Sequence, residues 1–260
     1  MDKNGIILAA HRGDRKNCPE NTMPAFIASL NAGVEMIETD IHMTKDGELV
    51  IMHDRSALRT AGVDRYLDEM TLAEVMELDA GYLFSEDFRG TRVPTVREFI
   101  EWIKDTPLLI NWELKQYPLE LGEEKAYGCI DKLVEMIDRY GLAERSLMNS
   151  FSDCNLEYVD TKWPHKFAIH GYIHYKKPKD FASKPLEGFL DWAAMWNKDE
   201  THPAGFETDY AYAKERDILT CILVQDTPEQ YKMALDMGCR MFTSDDPATA
   251  IEVLKQLNER

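Results

Sequence analysis

Ile6-Ile7-Leu8-Ala9-Ala10-His11-Arg12-Gly13 is an apolar run that stops in a histidine, an arginine and a glycine. A short apolar run bounded by a turn signal reads as a buried strand, and here the polar residues stand at its C-terminal end. Working outward along the chain, comparable runs recur at Met36–Asp40, Leu108–Leu114, Ser146–Phe151, Lys166–His170, Gly205–Thr208, Thr220–Val224 and Arg240–Thr243. Segments of helical period separate them, which is the pattern of βα units and a parallel sheet. With Ile6–Ala10 the runs number eight, and eight parallel strands close a (β/α)8 TIM barrel. The C-terminal ends of barrel strands form the catalytic face, so His11 and Arg12 are candidate functional residues.

A ninth run, Leu49–His53, follows Met36–Asp40 across Lys45-Asp46-Gly47. Asp-Gly between two such runs signals a hairpin, so this strand is expected antiparallel to its neighbour. Residues 54–107 are too long for one βα loop and carry a helical pattern of their own at Leu72, Val75 and Met76. They are expected as a small insertion over one end of a single barrel domain spanning 1–260. A second long stretch, 171–204, is rich in Tyr, Lys and Trp and reads as a lid or substrate loop. Helix caps support the alternation. Asn21 or Thr22 precedes a helix that stops at Gly33, Thr227-Pro228-Glu229-Gln230 reads as a cap with proline in the first turn, and Asp246-Pro247 opens the last helix.

The chain has 260 residues, 44% of them hydrophobic, enough for a sizeable core. Lys and Arg total 30 against 47 Asp and Glu, a net charge of −17. Such a surface repels nucleic acid and anionic membranes, so neither nucleic acid nor membrane insertion is expected, and an anionic small-molecule substrate would need a local positive site. A homo-oligomer is left open. Five scattered cysteines without a Cys-x-x-Cys pair argue against a disulfide framework or a cysteine zinc site. The N-terminus lacks the basic region and long apolar stretch of a signal peptide, and no apolar run nears the 18 or so residues of a membrane span. A cytoplasmic protein is expected.

Alternation along the second strand puts Glu38 and Asp40 on one face at its C-terminal end. Two adjacent carboxylates repel and call for a cation between them or a raised pKa. Oxygen ligands alone suit a hard cation such as Ca²⁺ or Mg²⁺. A hairpin centred on a two-residue Asp46-Gly47 turn would set Asp40 opposite His53, bringing a second histidine beside the acids. On the third barrel strand Glu113 and Lys115 alternate onto one face at the same rim, as a third metal oxygen and a phosphate-binding point charge. Two histidines, three carboxylates, an arginine and a lysine can stabilise a phosphoryl group in transfer and move protons near neutral pH.

The chain resembles the glycerophosphodiester phosphodiesterase family. The resemblance rests on His11-Arg12-Gly13, Pro19-Glu20-Asn21-Thr22 with Ala25-Phe26, Glu38-Thr39-Asp40, Thr44-Lys45-Asp46-Gly47, His53-Asp54 and Glu113-Leu114-Lys115. It continues through Thr71-Leu72 to Gly81, Val93-Pro94-Thr95, Ser150-Phe151 and Thr243-Ser244-Asp245-Asp246-Pro247. Ordered agreement over many motifs is far more specific than any one of them. The resemblance implies that His11 and His53 are the acid–base pair and that Glu38, Asp40 and Glu113 hold one divalent metal. It further implies that Arg12 and Lys115 contact phosphate, and that Glu20 anchors the loop after the first strand. The implied reaction frees an alcohol and sn-glycerol 3-phosphate. A lyase giving a cyclic phosphate and a non-catalytic phosphate-binding module are the alternatives.

The sequence departs from the family's pattern in three places. Leu223-Val224-Gln225-Asp226 stands where a tryptophan-containing segment is usual, His42 stands where the family has Gln or another polar residue, and 171–203 matches poorly. In that last stretch Tyr172, Tyr175, Trp192 and Trp196 are candidates for a substrate wall.

Overall fold

The structure, a computed structural model, describes residues 5–174, 180–196, 205–224 and 226–257. Nine strands form one sheet: β1 (Ile7–His11), β2 (Met36–Met43), β3 (Leu49–Ile51), β4 (Leu109–Leu114), β5 (Ser146–Asn149), β6 (Ala168–Gly171), β7 (Trp192–Met195), β8 (Leu219–Val224) and β9 (Met241–Ser244). Pairing runs β1-β9-β8-β7-β6-β5-β4-β2 and closes through β1–β2. All these pairs are parallel, so eight strands form the closed (β/α)8 barrel. β3 is the ninth, antiparallel to the end of β2, where pairing with β1 has already stopped at Glu38.

Period-two alternation builds the barrel in layers. Leu8, Ala10, Ile37, Ile110, Trp112 and Met148 face outward into the main core. There Phe99 meets Phe26 and Trp112 edge-on, with ring centroids 4.8 and 5.5 Å apart. Ile7, Ala9, Met36, Leu147, Trp192, Cys221 and Met241 face inward and form a separate apolar plug. Further along the same faces come His11, Glu38, Asn111, Glu113, Asn149 and His170, which line the cavity above the plug. The interior thus changes from apolar to ionisable within one layer of side chains.

Thr22 precedes the helix Met23–Ala32 without a side-chain cap, its hydroxyl donating to Pro19 O instead, while the other expected start and stop signals are present. Gly33 ends the helix Met23–Ala32 in the left-handed conformation, and the side chains of Thr227 and Asp246 cap Pro228–Met237 and Pro247–Gln256. Residues 54–107 carry short helical turns and the helix Val96–Ile103, and part of the segment gathers its own apolar cluster around Leu67, Val75 and Val93.

Two expectations are corrected. Gly205–Thr208 is not a strand: Gly205 precedes the helix Phe206–Lys214, with Glu207 and Asp209 in the first turn. The barrel strand is instead Trp192–Met195, inside the stretch read as a lid. Its Trp-Ala-Ala-Met is four residues long, and alanine has little preference for sheet, so no strand signal stands out. The hairpin register also differs. Thr44 N donates to Glu48 O at 2.8 Å, so Lys45, Asp46 and Gly47 form a three-residue loop with Gly47 at φ +82°. The pairing Ile41↔Ile51 that follows sets Asp40 opposite Met52 rather than His53, and Met52 N donates to Asp40 O at 3.2 Å.

The loop after β1 is pressed against the next helix. Gly13 has φ +80°, and a Cβ there would lie 2.7 Å from Ala25 Cβ. Gly13→Ala is therefore expected to destabilise the protein by more than about 1 kcal/mol, from left-handed strain plus the clash. A urea midpoint equal to that of the parent protein would contradict the close approach.

Candidate active site

β2 supplies Glu38 and Asp40, and β4 supplies Glu113, with Lys115 just beyond it. The β2–β4 register sets Asp40 beside Glu113. One oxygen from each of Glu38, Asp40 and Glu113 lies within 4.8 Å of the others, and all three residues are buried. Lys115 Nζ bonds Glu113 Oε1 and stands 3.1 Å from Asp40 Oδ1. Arg12 donates its backbone N–H to Glu38 Oε2 at 3.0 Å and brings Nε to 3.4 Å from Asp40 Oδ2. Asn21 Nδ2 donates to the same Asp40 oxygen at 2.7 Å.

These contacts divide the acids. Burial would raise the Asp40 pKa, but Lys115 and Arg12 overrule it and hold the carboxyl well below the usual range. Burial pushes Glu38 well above that range, and the charges of Asp40 and Glu113 add to the effect. Glu38 Oε1 is buried and accepts no hydrogen bond from any described residue. A repelled carboxylate with an unused buried oxygen, facing two more carboxylates, is a donor set that fits a hard divalent cation.

The two histidines join this cluster around one cavity of about 250 Å³, lined by His11, Arg12, Glu38, His53, Glu113 and Lys115 among others. His11 arrives as the last residue of β1. His53 arrives despite the altered register, because β3 stops at Ile51 and the chain leaves the ladder before residue 53. His42, pushed down to a pKa of about 4 by burial, places Nε2 3.2 Å from the His53 carbonyl and so holds that exit. Nδ1 of His11 lies 2.7 Å from Asp245 and Nδ1 of His53 lies 2.6 Å from Asp54. Burial lowers the His11 pKa, with Asp245 opposing.

Of the sequence candidates, seven come together directly: His11, Arg12, Glu38, Asp40, His53, Glu113 and Lys115. Glu20 stands behind them and bonds Arg12 Nη1 at 3.0 Å. Another part of the wall is aromatic and starts beside Lys115, whose Nζ lies 5.7 Å from the Phe151 ring centroid. Phe151 and Tyr172 stack with centroids 3.8 Å apart, and Trp196 lies 6.1 Å from Tyr172. Trp192 is in the plug below, Leu223 lines the cavity, and Tyr175 and Gln225 lie outside the described residues.

Sequence reasoning missed Asn111, Asn149 and His170, which form the cavity floor. Asn111 alternates with Glu113, and Asn149 and His170 are at or near the ends of apolar runs, so the signal that found Glu113 applies to them. His170 Nε2 lies 2.9 Å from Cys221 Sγ. Burial pushes this histidine down to about 3 and the thiol well above its usual value, so both are neutral.

The neutral floor has a consequence for stability. The unfolded chain protonates His170 near pH 6.5, the folded chain only near 3. The stabilisation held by the neutral ring is complete above the unfolded value and drains as pH falls toward the folded one, at about 1.4 kcal/mol per pH unit. Between about pH 6 and pH 4 the parent protein should lose stability faster than His170→Asn by roughly that increment. Parallel urea-derived stability curves for the two would contradict it.

The glycerophosphoryl diester phosphodiesterase family matches residues 11–249. A protein named glycerophosphodiester phosphodiesterase from Caldanaerobacter subterraneus subsp. tengcongensis is 39% identical over 163 residues, which cover 61% of this chain and 63% of that one. The fold is shared with the crystal structure of a glycerophosphodiester phosphodiesterase from Agrobacterium tumefaciens, with a TM-score of 0.76, 20% identity and coverage of 95% and 99%. It is shared too with an Oleispira antarctica phosphodiesterase in complex with the product sn-glycerol-3-phosphate, with a TM-score of 0.80, 23% identity and coverage of 96% of each chain. With the match running nearly end to end, this chain belongs to the glycerophosphoryl diester phosphodiesterase family.

Proposed function

We propose that this chain hydrolyses a glycerophosphodiester to an alcohol and sn-glycerol 3-phosphate, with His11 and His53 as the acid–base pair. The observation that carries this is that both rings line the cavity beside the acidic cluster, each with Nδ1 on a carboxylate. An imidazole that donates Nδ1–H to a carboxylate presents Nε2 as its basic nitrogen. Among the described residues neither Nε2 has a hydrogen-bond partner, so both are available to substrate. Burial keeps His11 neutral near pH 7, ready to take the proton of an attacking hydroxyl. The leaving alcohol then needs a proton, and His53 lines the same cavity to give it.

Glu38, Asp40 and Glu113 would hold one divalent cation, Ca²⁺ or Mg²⁺, which when bound supplies Lewis-acid stabilisation of phosphoryl charge. The charge count supports the fit. Three carboxylates against Arg12 and Lys115 leave the cluster one charge negative when all are ionised. A dication makes it one positive, the complement of a phosphodiester anion. Arg12 and Lys115 then face the phosphate oxygens. The reading places the reaction in a single barrel domain with 54–107 as an insertion. The five cysteines are free thiols and no helix among the described residues is long and apolar enough to cross a membrane, which agrees with a cytoplasmic setting.

His11→Ala and His53→Ala should each slow turnover of glycerophosphodiesters by about 10²–10⁴-fold. EDTA should abolish turnover in the parent protein, and added Ca²⁺ or Mg²⁺ should restore it. Phosphorus NMR should show a phosphomonoester; an accumulating cyclic ester would mean a lyase instead. Full activity in both alanine variants would end the acid–base assignment.

A further inference from the structure

Each carboxylate that holds a histidine has an arginine beside it, and the two arginines meet at one further carboxylate. Arg59 Nε donates to Asp54 Oδ2, the carboxylate on His53. Arg15 Nη1 lies 3.6 Å from Asp245 Oδ1, the oxygen on His11, and 3.3 Å from His11 Nδ1. Both arginines then turn to Glu20. Arg59 donates to Glu20 Oε2 at 2.9 Å and to Oε1 at 2.6 Å, and Arg15 Nη2 stands 3.4 Å from Oε2. Arg12, which faces the acidic cluster, takes Glu20 Oε1 at 3.0 Å. Three guanidinium groups therefore share one carboxylate. One leads to His11, one to Asp40, and one to His53.

We propose that Glu20 is a positioning residue common to both histidines, coupling His11 to His53 through Arg15 and Arg59. The proposal rests on the reading of those histidines as the acid–base pair. Its physical basis is the burial of the shared carboxylate: the Glu20 side chain is 10% exposed, so water screens its ion pairs little. The three guanidinium groups repel one another, and Glu20 is the one carboxylate that all three share. Displacing one lets the others shift, and each shift is passed to an aspartate whose hydrogen bond sets an imidazole's orientation and tautomer. Arg59 belongs to the short helix Leu58–Ala61 in the segment 54–107, so the seating of that segment on the barrel becomes part of the geometry of His53. Arg59 and Arg15 are 47% and 28% exposed, and with either one replaced Glu20 keeps two guanidinium partners.

The test uses Arg59→Met, Arg59→Lys, Arg15→Met and the double methionine variant in the full chain with saturating divalent metal. Turnover is followed with glycerophosphodiesters, and the imidazole ¹⁵N signals of both histidines are recorded. Arg59→Met should lower kcat by about 10- to 100-fold, as for loss of a carboxylate-orienting partner, with KM changed by less than about threefold. Arg59→Lys should recover most of the loss, because an ammonium can still bridge Glu20 and Asp54. Arg59→Met should also move the His11 signals, although Arg59 touches neither His11 nor Asp245. The double variant should lose less than the product of the single losses, since the first substitution already loosens the shared anchor. His11 signals unmoved by Arg59→Met, or single losses that multiply, would overturn the proposal. The acid–base reading fails separately, on full activity of the histidine-to-alanine variants, while the imidazole signals still report whether the rings are coupled.

Discussion

Glu38, Asp40 and Glu113 are buried within 4.8 Å of one another at the mouth of the barrel, and their mutual repulsion is the constraint around which the site is organised. At about 4 Å and an effective dielectric near 20, two like charges repel by about 4 kcal/mol. Lys115, Arg12 and Asn21 offset part of this by converging on Asp40. The remaining deficit falls on Glu38, whose carboxyl is driven toward its neutral form. A divalent cation would remove that deficit and return Glu38 to its charged form. The acids that cost stability are thus the same acids that would hold the metal, and Arg12 and Lys115, which offset their repulsion, would then also face the phosphate.

The barrel makes this arrangement tolerable by confining it to one layer. Below the acids lies a plug of Ile7, Ala9, Met36, Trp192, Cys221 and Met241, which keeps the lower interior apolar. Above the plug β1, β2, β4, β5 and β6 turn polar before they end. Asn111, Asn149 and a neutral His170 separate the acids from the plug without adding charge. The aromatic wall, built from Phe151, Tyr172 and Trp196, carries no charge either. Ionised groups therefore gather where β1, β2 and β4 meet the cavity.

Positioning of the histidines follows a common plan carried out by residues far apart in the chain. Each ring has a carboxylate on Nδ1, and each carboxylate has an arginine beside it that turns back to Glu20. The loop after β1, the segment after β3 and the loop after β9 meet there. Gly13, by allowing that first loop to lie against Ala25, lets Arg12 and Arg15 reach their partners.

Alternation within a strand is local information, and it was legible: Glu38 with Asp40, and Glu113 with Lys115, are paired by a period of two that any chain must obey. The eight-strand parallel barrel was legible for the same reason, since seven of its strands carry apolar runs strong enough to stand alone. The eighth, Trp192-Ala193-Ala194-Met195, did not, because its place comes from pairing with β6 and β8 rather than from its own preference for sheet. Asp46-Gly47 marked a hairpin but left a two- or three-residue loop equally open, and one residue decides which side chains are opposed. His53 reached the cavity by a route that the chain's alternation does not encode, where the strand ends early and His42 holds the turn. Arg15, Arg59, Asp54 and Asp245 are ordinary charged residues in an acidic sequence. Only the folding of three separate loops onto Glu20 gives them a shared role, because ion pairs depend on distance in space and leave no period along the chain.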